Sequence, residues 1–350
     1  MRKIKNLLTA IFFCVILFLV FATWLIFGSS TVFEENKKSF FIKAGSNFSK
    51  VEKGLEKYGF VKNRRTFNKI ASLLKYPENI KPGKYVFEKN ASIYNIITTL
   101  RSGKQTPVNL VITKLRTKEE FAQKISANFE TDSANIITYL NSKNLLAAYQ
   151  LDSNTVMTAI IPNSYNILWD TPFPEIFNTI FQEQEKFWTP ERRKLAASHN
   201  LTTTQAYILA SIVDEETSLQ DEKGKIASVY INRLETGMRL GADPTVKFAL
   251  KDFTLKRIYN KHLTVSSPYN TYQVSGLPPG PICTPLPKTI DAVLNSPATS
   301  YLYFVAKPDF SGYSNFAVTY SEHLQYAKAY QQALDKMMKK KAAVSSEQVN

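Results

Sequence analysis

The chain is poor in the residues that metal, redox and nucleophilic chemistry draw on. It carries two cysteines and three histidines in 350 residues. Cys14 lies inside an apolar N-terminal run and Cys283 far downstream, which argues against an intramolecular disulfide, and no Cys/His spacing of the zinc type occurs. His199, His262 and His323 stand without partner spacing. Phosphate loops, nucleophile elbows and dinucleotide fingerprints are missing as well. No metal or cofactor is expected, so any catalysis falls to carboxylates and neutral polar groups. Acidic residues are in deficit too: 29 Asp and Glu stand against 44 Lys and Arg, a formal net charge of +15 that favours anionic partners. Basic residues such as Lys62, Arg64, Arg65 and Lys69 are scattered rather than interleaved with aromatics. That pattern is a solvated basic surface, and nucleic acid is not an expected partner.

Apolar and aromatic residues are plentiful, at 44% and 13%, so the chain can bury a core, and its length favours two domains over one. Leu7 to Gly28 runs without a charge, long enough as a helix to cross a hydrocarbon layer of about 30 Å. Arg2, Lys3 and Lys5 precede it, which predicts a cytoplasmic N-terminus (residues 1–6), a single membrane span (7–28) and export of everything after Ser29. Trp24 and Phe27 are placed as interfacial anchors at the far side. The run is longer than the apolar part of a signal peptide and lacks a small-x-small cleavage site, so retention is expected.

After a polar stalk around Glu34 to Ser39, three stretches each pair a short apolar strand with an amphipathic helix. These are Phe40 to Ile42 with Ser46 to Tyr58, Tyr85 to Phe87 with Ser92 to Leu100, and Leu110 to Ile112 with a helix from Lys118. Ser46 and Ser92 are candidate N-caps, Thr117 and Glu120 form a capping box, and Gly59 and Gly103 follow helix ends. Residues 128–193 read as mostly helical, interrupted at Ile160 to Trp169 by a strand or loop.

The richest chemistry begins at Thr202, where Gln205 three residues on opens a helix through AYILASIVDEET. At about 100° per residue, Leu209, Ile212, Val213 and Glu216 share one stripe, and Asp214 and Glu215 point away toward water. A carboxyl steered against apolar walls loses solvation of its charged form and holds a proton near neutral pH, as a general acid must. On position alone, Glu216 as a helix-end ion pair with Arg233 is equally consistent. A second helix from Asp221 to Leu234 sets Ile226, Val229, Tyr230 and Arg233 on one face, with Gly237 as its stop. The Arg233 guanidinium needs an acceptor there: Glu216, a backbone carbonyl or a ligand oxygen. Asp243-Pro244-Thr245 reads as an N-cap with proline at the first helical position. Residues 266–285, SSPYNTYQVSGLPPGPICTP, hold too much Pro, Gly and Asn for a helix and form an ordered loop. Its Tyr269, Asn270, Thr271 and Tyr272 suit sugar rings edged by hydroxyls, although such a loop can equally pack a core.

The blocks ASIVDEET (Ala210 to Thr217), ASVYINRLETGMRLGADPTV (Ala227 to Val246), PYNTY (Pro268 to Tyr272), GLPPGPI (Gly276 to Ile282) and YLYFVA (Tyr301 to Ala306) resemble the YceG-like family of endolytic murein transglycosylases. The resemblance implies an α+β protein with an N-terminal transmembrane helix, a small LysM-like α/β module at 38–106 and a larger mixed catalytic domain at 107–335; the basic end at 336–350, with Lys339, Lys340 and Lys341, reads by its own composition as a disordered tail. It implies Glu216 as the catalytic glutamate, with Asn232, Arg233, Asp243, Thr245, Tyr269, Asn270, Thr271 and Tyr272 lining the cleft. Departures are Asp214, where the pattern carries Glu, Ile161 to Tyr165 (IPNSY) in place of FPDTY, and Thr284 and Leu286 at the end of the proline loop.

What the resemblance implies is a lyase of the cytoplasmic membrane. It cuts nascent glycan strands between N-acetylmuramic acid and N-acetylglucosamine, leaves 1,6-anhydro ends and stops strand elongation. Glycan strands are its expected partner and cell-wall synthesis proteins are candidate partners. Two other readings stand beside it: a lysozyme-like hydrolase using Glu216 with Asp214 or Asp243, and a non-catalytic, membrane-anchored scaffold that binds peptidoglycan.

Overall fold

A computed structural model describes residues 2–347 of the chain, with side chains from residue 4 to residue 339. The side chains of Arg2, Lys3, Lys340 and Lys341 therefore lie outside the described residues. The fold is mixed α+β and divides into two compact units. Unit 1 holds the chain up to Leu110 together with residues 126–131 and 165–173; unit 2 holds residues 111–125, 132–164 and the chain from Pro174 onward.

Unit 1 begins with α1 (Arg2–Phe27), whose Ile4–Phe27 stretch is long and apolar enough to cross a membrane. Then follow β1 (Lys37–Ile42), α2 (Phe48–Lys57), α3 (Arg64–Leu73), β2 (Gly83–Glu88) and α4 (Ile93–Ser102). β1 and β2 pair antiparallel from Lys37 opposite Glu88 to Ile42 opposite Gly83. Alternate strand residues Phe40, Ile42, Tyr85 and Phe87 turn inward and meet Leu55, Phe60, Phe67, Ile96 and Leu100 in one core, as period-two side-chain alternation requires.

The caps explain where these helices start. Ser92 accepts from Asn95 N at the start of α4, and Gly103 closes that helix in the left-handed region at φ +73°. At α2 the cap is Asn47, whose side chain accepts from Lys50 N, and not Ser46. Asn is as good an N-cap as Ser, so adjacent candidates in sequence are separated only by the backbone entry angle. α3 has no counterpart in the strand-helix reading: its basic residues mask an apolar face of Phe67, Ile70 and Ala71.

The chain passes between the units at β3 (Val108–Ile112) and β4 (Asn163–Ile167). Around them lie α5 (Lys118–Ser126), capped by Thr117, α6 (Ser133–Asn141) and α7 (Lys143–Ala147). After β4 come α8 (Phe173–Phe187), α9 (Pro190–Ser198), α10 (Thr203–Glu216), α11 (Gln220–Glu235), α12 (Asp243–Leu250), α13 (Asn260–Leu263) and α14 (Pro287–Leu294). A hairpin of β5 (Tyr303–Ala306) and β6 (Ser314–Ala317) and the long α15 (Tyr320–Glu347) complete the chain. α15 carries a helical backbone through Glu347, so most of the span expected as a disordered tail is helix. Ala, Met and Lys in that stretch are strong helix formers, and a basic composition alone does not prevent a helix from continuing.

α10 sits at the centre of unit 2. Thr202 and Gln205 close the expected capping box at its start. Every residue from Ala206 to Asp214 is buried, packed by α11, α14 and the surrounding loops. One turn before the helix ends, Ser211 Oγ accepts from Ile282 N at 3.0 Å and so fixes the proline-rich loop against α10. Thr284 is fully buried in the same loop, where its N–H donates to the Leu115 carbonyl and its Oγ1 accepts from Leu115 N. Gly280 is required there: a Cβ would collide with the Asn154 carbonyl.

Candidate active site

Three consecutive acids, Asp214, Glu215 and Glu216, end α10, and their surroundings differ. The expectation that Asp214 and Glu215 face water fails. Asp214 has a side chain only 1% exposed and ion-paired to Lys223 Nζ at 2.6 Å and Lys114 Nζ at 2.7 Å. Thr289 of α14 also donates to it. Burial pushes the Asp214 carboxyl up, but the bonds from Lys114, Lys223 and Thr289 outweigh that and hold it below the ordinary value. Glu215 pairs with Lys114 at 3.0 Å and with Arg116 Nη2 at 2.9 Å. α10 is buried on all sides from Ala206 to Asp214, so its apolar pattern has no single inward phase from which these directions follow.

Glu216 has no ion-pair partner among the described residues. Its Oε1 accepts from the Tyr230 hydroxyl at 2.6 Å, and Tyr230 on α11 is itself 1% exposed and set edge-on to Phe304. Glu216 is half-buried and lines a cavity of about 370 Å³ with Lys114, Asp214, Ser218, Lys223 and Lys288. Dense protein around the carboxyl raises its pKa from 4.5 to about 7. Tyr230 opposes the rise, the Asp243 charge adds to it, and Arg233 and Lys247 reduce it. Such a group exchanges a proton near neutral pH.

The other expected site residues divide into two sets. Arg233 resolves its need for an acceptor through the carbonyls of Leu302 and Leu240, and it lies 5.5 Å from the Tyr303 ring. Its charge still reaches Glu216, as does that of Asp243. Asp243 is exposed and is not the N-cap, which is Ala242; its Oδ1 instead accepts from the Tyr272 hydroxyl at 2.7 Å. Pro244 thus falls at the second helical residue, where a missing N–H is equally harmless. Gly241, at φ +58°, brings the chain between Arg233 and Tyr272, each 3.6 Å from where its Cβ would be. Glu216, Tyr230, Arg233, Asp243 and Tyr272 therefore form one electrostatic neighbourhood.

The second set holds that neighbourhood in place. Asn232 spends both hydrogens of Nδ2 on the carbonyls of Thr299 and Tyr301. Thr245, Asn270 and Thr271 are each fully buried. Thr245 and Thr271 share a hydroxyl contact of 2.8 Å, Thr271 accepts from Ala242 N, and Asn270 donates to the carbonyls of Leu263 and Val265. A polymer outside cannot touch these groups, so they shape the loop that presents Tyr272. Tyr269 packs on Phe248, ring centres 4.7 Å apart, and lines a separate cavity. Sequence reasoning missed Tyr230 as a partner of Glu216, although a tyrosine on a buried stripe must find an acceptor for its hydroxyl.

Comparison with known proteins agrees with this architecture. Residues 40–329 match the YceG-like family. A Bacillus subtilis (strain 168) protein named endolytic murein transglycosylase is 27% identical over 309 residues, which cover 83% of each chain. A Streptococcus pneumoniae (serotype 2, strain D39) protein of the same name is 27% identical over 295 residues, covering 76% of this chain but 53% of that longer one. A crystal structure of a YceG-like protein from Listeria monocytogenes superposes with a TM-score of 0.56 at 26% identity, over 83% of this chain and 99% of that one. With residues 40–329 matched by the family, the chain belongs to the YceG-like family.

Proposed function

We propose that this chain is an endolytic murein transglycosylase in which Glu216 transfers the proton. The carrying observation is that Glu216, alone among the three acids ending α10, has no cation bound to it while burial holds its pKa near about 7. Protonated Glu216 donates to the glycosidic oxygen as the bond to muramic acid C1 breaks. The C6 hydroxyl of the same sugar then closes onto C1 and returns its proton to Glu216. No water is consumed, and the new end is a 1,6-anhydro ring. One carboxylate suffices, whereas hydrolysis requires a second at about 5 to 9 Å. Asp214 is unsuited to that second role because two lysines clamp it. Asp243 and Tyr272 are read as contacts to the strand beside Glu216, with Arg233 setting the local field.

Residues 38–106 are read as a LysM-like, glycan-binding module, supported by the separate core of unit 1. Residues 107–335 are read as the catalytic domain. The apolar helix supports a membrane anchor with the N-terminus inside and the cutting domain outside, acting on nascent strands beside cell-wall synthesis proteins. Mass spectrometry of murein digested by the full chain in detergent tests the reaction. The expected product end is lighter by one water than a reducing end, and a product retaining that water would establish hydrolysis instead.

A further inference from the structure

Arg116 lines three cavities of unit 2. The first holds Glu216. The second, about 80 Å³, is walled by Glu215, Lys247 and Phe253. The third, about 250 Å³, shares Phe253 with the second and opens beside the start of α5. A row of three openings thus runs from the proposed cutting residue to a site that the reaction above does not use.

That third cavity has an apolar side and a cationic side. Met157, Phe248, Phe253 and Tyr269 supply the first, and Lys118 and Lys251 the second. Neither lysine forms an ion pair among the described residues. Lys118 Nζ bonds the neutral oxygens of Asn141 and Ser153; the charges of Glu119 and Asp152 act on it favourably and that of Lys251 unfavourably. The hydrogen bonds of those acids go to nearer groups: Asp152 accepts from Asn154 N, Thr155 N and Thr155 Oγ1, and Glu119 bonds its own backbone and Thr117. Arg116 binds Glu215 through Nη2, while its buried Nε has no acceptor. Two ammonium groups outside any salt bridge, beside Phe248, Phe253 and Tyr269, complement a short peptide with small apolar side chains and free carboxylates.

We propose that this cavity binds the carboxylate-bearing stem peptide that branches from the glycan strand, with Lys118 and Lys251 as its carboxylate anchors. The assignment rests on the murein reading above, because stem peptides branch from the muramic acid whose C1 bond is cut. Asn141 and Asn154 supply amide groups for the peptide backbone, and Arg116 marks the passage between peptide and scissile bond.

Calorimetric titration of the full chain in detergent with an N-acetylmuramoyl pentapeptide tests it. Wild type is expected to bind, and the double variant Lys118→Gln/Lys251→Asn to bind roughly tenfold more weakly. Asn keeps the left-handed turn that Lys251 occupies at φ +55°, and Lys118→Gln alone provides a second variant without any backbone demand. Pentapeptide with amidated carboxylates is expected to bind wild type as weakly as the acid binds the double variant. Equal affinity of wild type and double variant, or equal affinity of acid and amide, overturns the proposal. Peptide binding without strand cleavage would count against the Glu216 reading while supporting this site; cleavage without peptide binding would do the reverse.

Discussion

Asp214 and Glu216 are the same functional group two residues apart on α10, and the two sides of the helix end treat them oppositely. On one side Lys114, Lys223 and Thr289 converge on a fully enclosed carboxylate and hold it ionised. On the other a single neutral hydroxyl, from Tyr230, meets a half-buried carboxyl, although both acids border the same cavity. Burial works in the same direction at both, so the difference lies in the charge of the partner. The clamped acid ties α10 to α11 and α14 as a rigid mount. The unclamped one keeps the freedom to change protonation state that acid-base chemistry needs.

Exchanging these roles by mutation tests the contrast. Glu216→Gln keeps the shape and removes the proton, and turnover of glycan strands is expected to fall roughly a hundred- to ten-thousand-fold with the thermal transition retained. Asp214→Asn strands the buried Lys223 beside a neutral amide, while Lys114 keeps Glu215, and is expected to destabilise the fold by about 3–5 kcal/mol in denaturant titrations. Adding Lys223→Met should recover part of that loss, which a catalytic role for Asp214 would not explain.

Tyr230→Phe sharpens the other side. Its hydroxyl favours ionised Glu216, so its removal raises the carboxyl pKa further. The proposed reaction starts from protonated Glu216, so wild-type cleavage should decline as pH rises through about 7. In the variant that decline moves to higher pH, and the rate falls about tenfold as the carboxyl loses its fixed orientation. Asp243→Asn has the smallest expected effect: removal of a nearby negative charge eases ionisation of Glu216 and moves the decline to lower pH. A pH–rate profile of each variant distinguishes the two directions.

Much of this site was legible because it is local. The Thr202/Gln205 box, the end of α10 at Glu216, the α11 stripe with Tyr230 and the non-helical loop at 266–285 follow from capping, periodicity and turn chemistry within a few residues. The fate of Asp214 was not legible, because Lys114 lies a hundred residues upstream and Thr289 seventy-five downstream. A helix packed on every side gives no pattern from which to read its neighbours. Thr245, Asn270 and Thr271 show the same limit: polar residues in a loop suggest contact with ligand, whereas here their hydrogen bonds are spent inward on the loop itself. α3 and the helical stretch after Lys336 were hidden for another reason, since basic residues cover helices whose remaining sequence supports them.

The central claim is the protonation state of one side chain, and a carbon-13 NMR titration of the Glu216 carboxyl, assigned by its disappearance in Glu216→Gln, reads it directly. A midpoint at about 7 is the predicted result; titration at the ordinary 4.5 would contradict it.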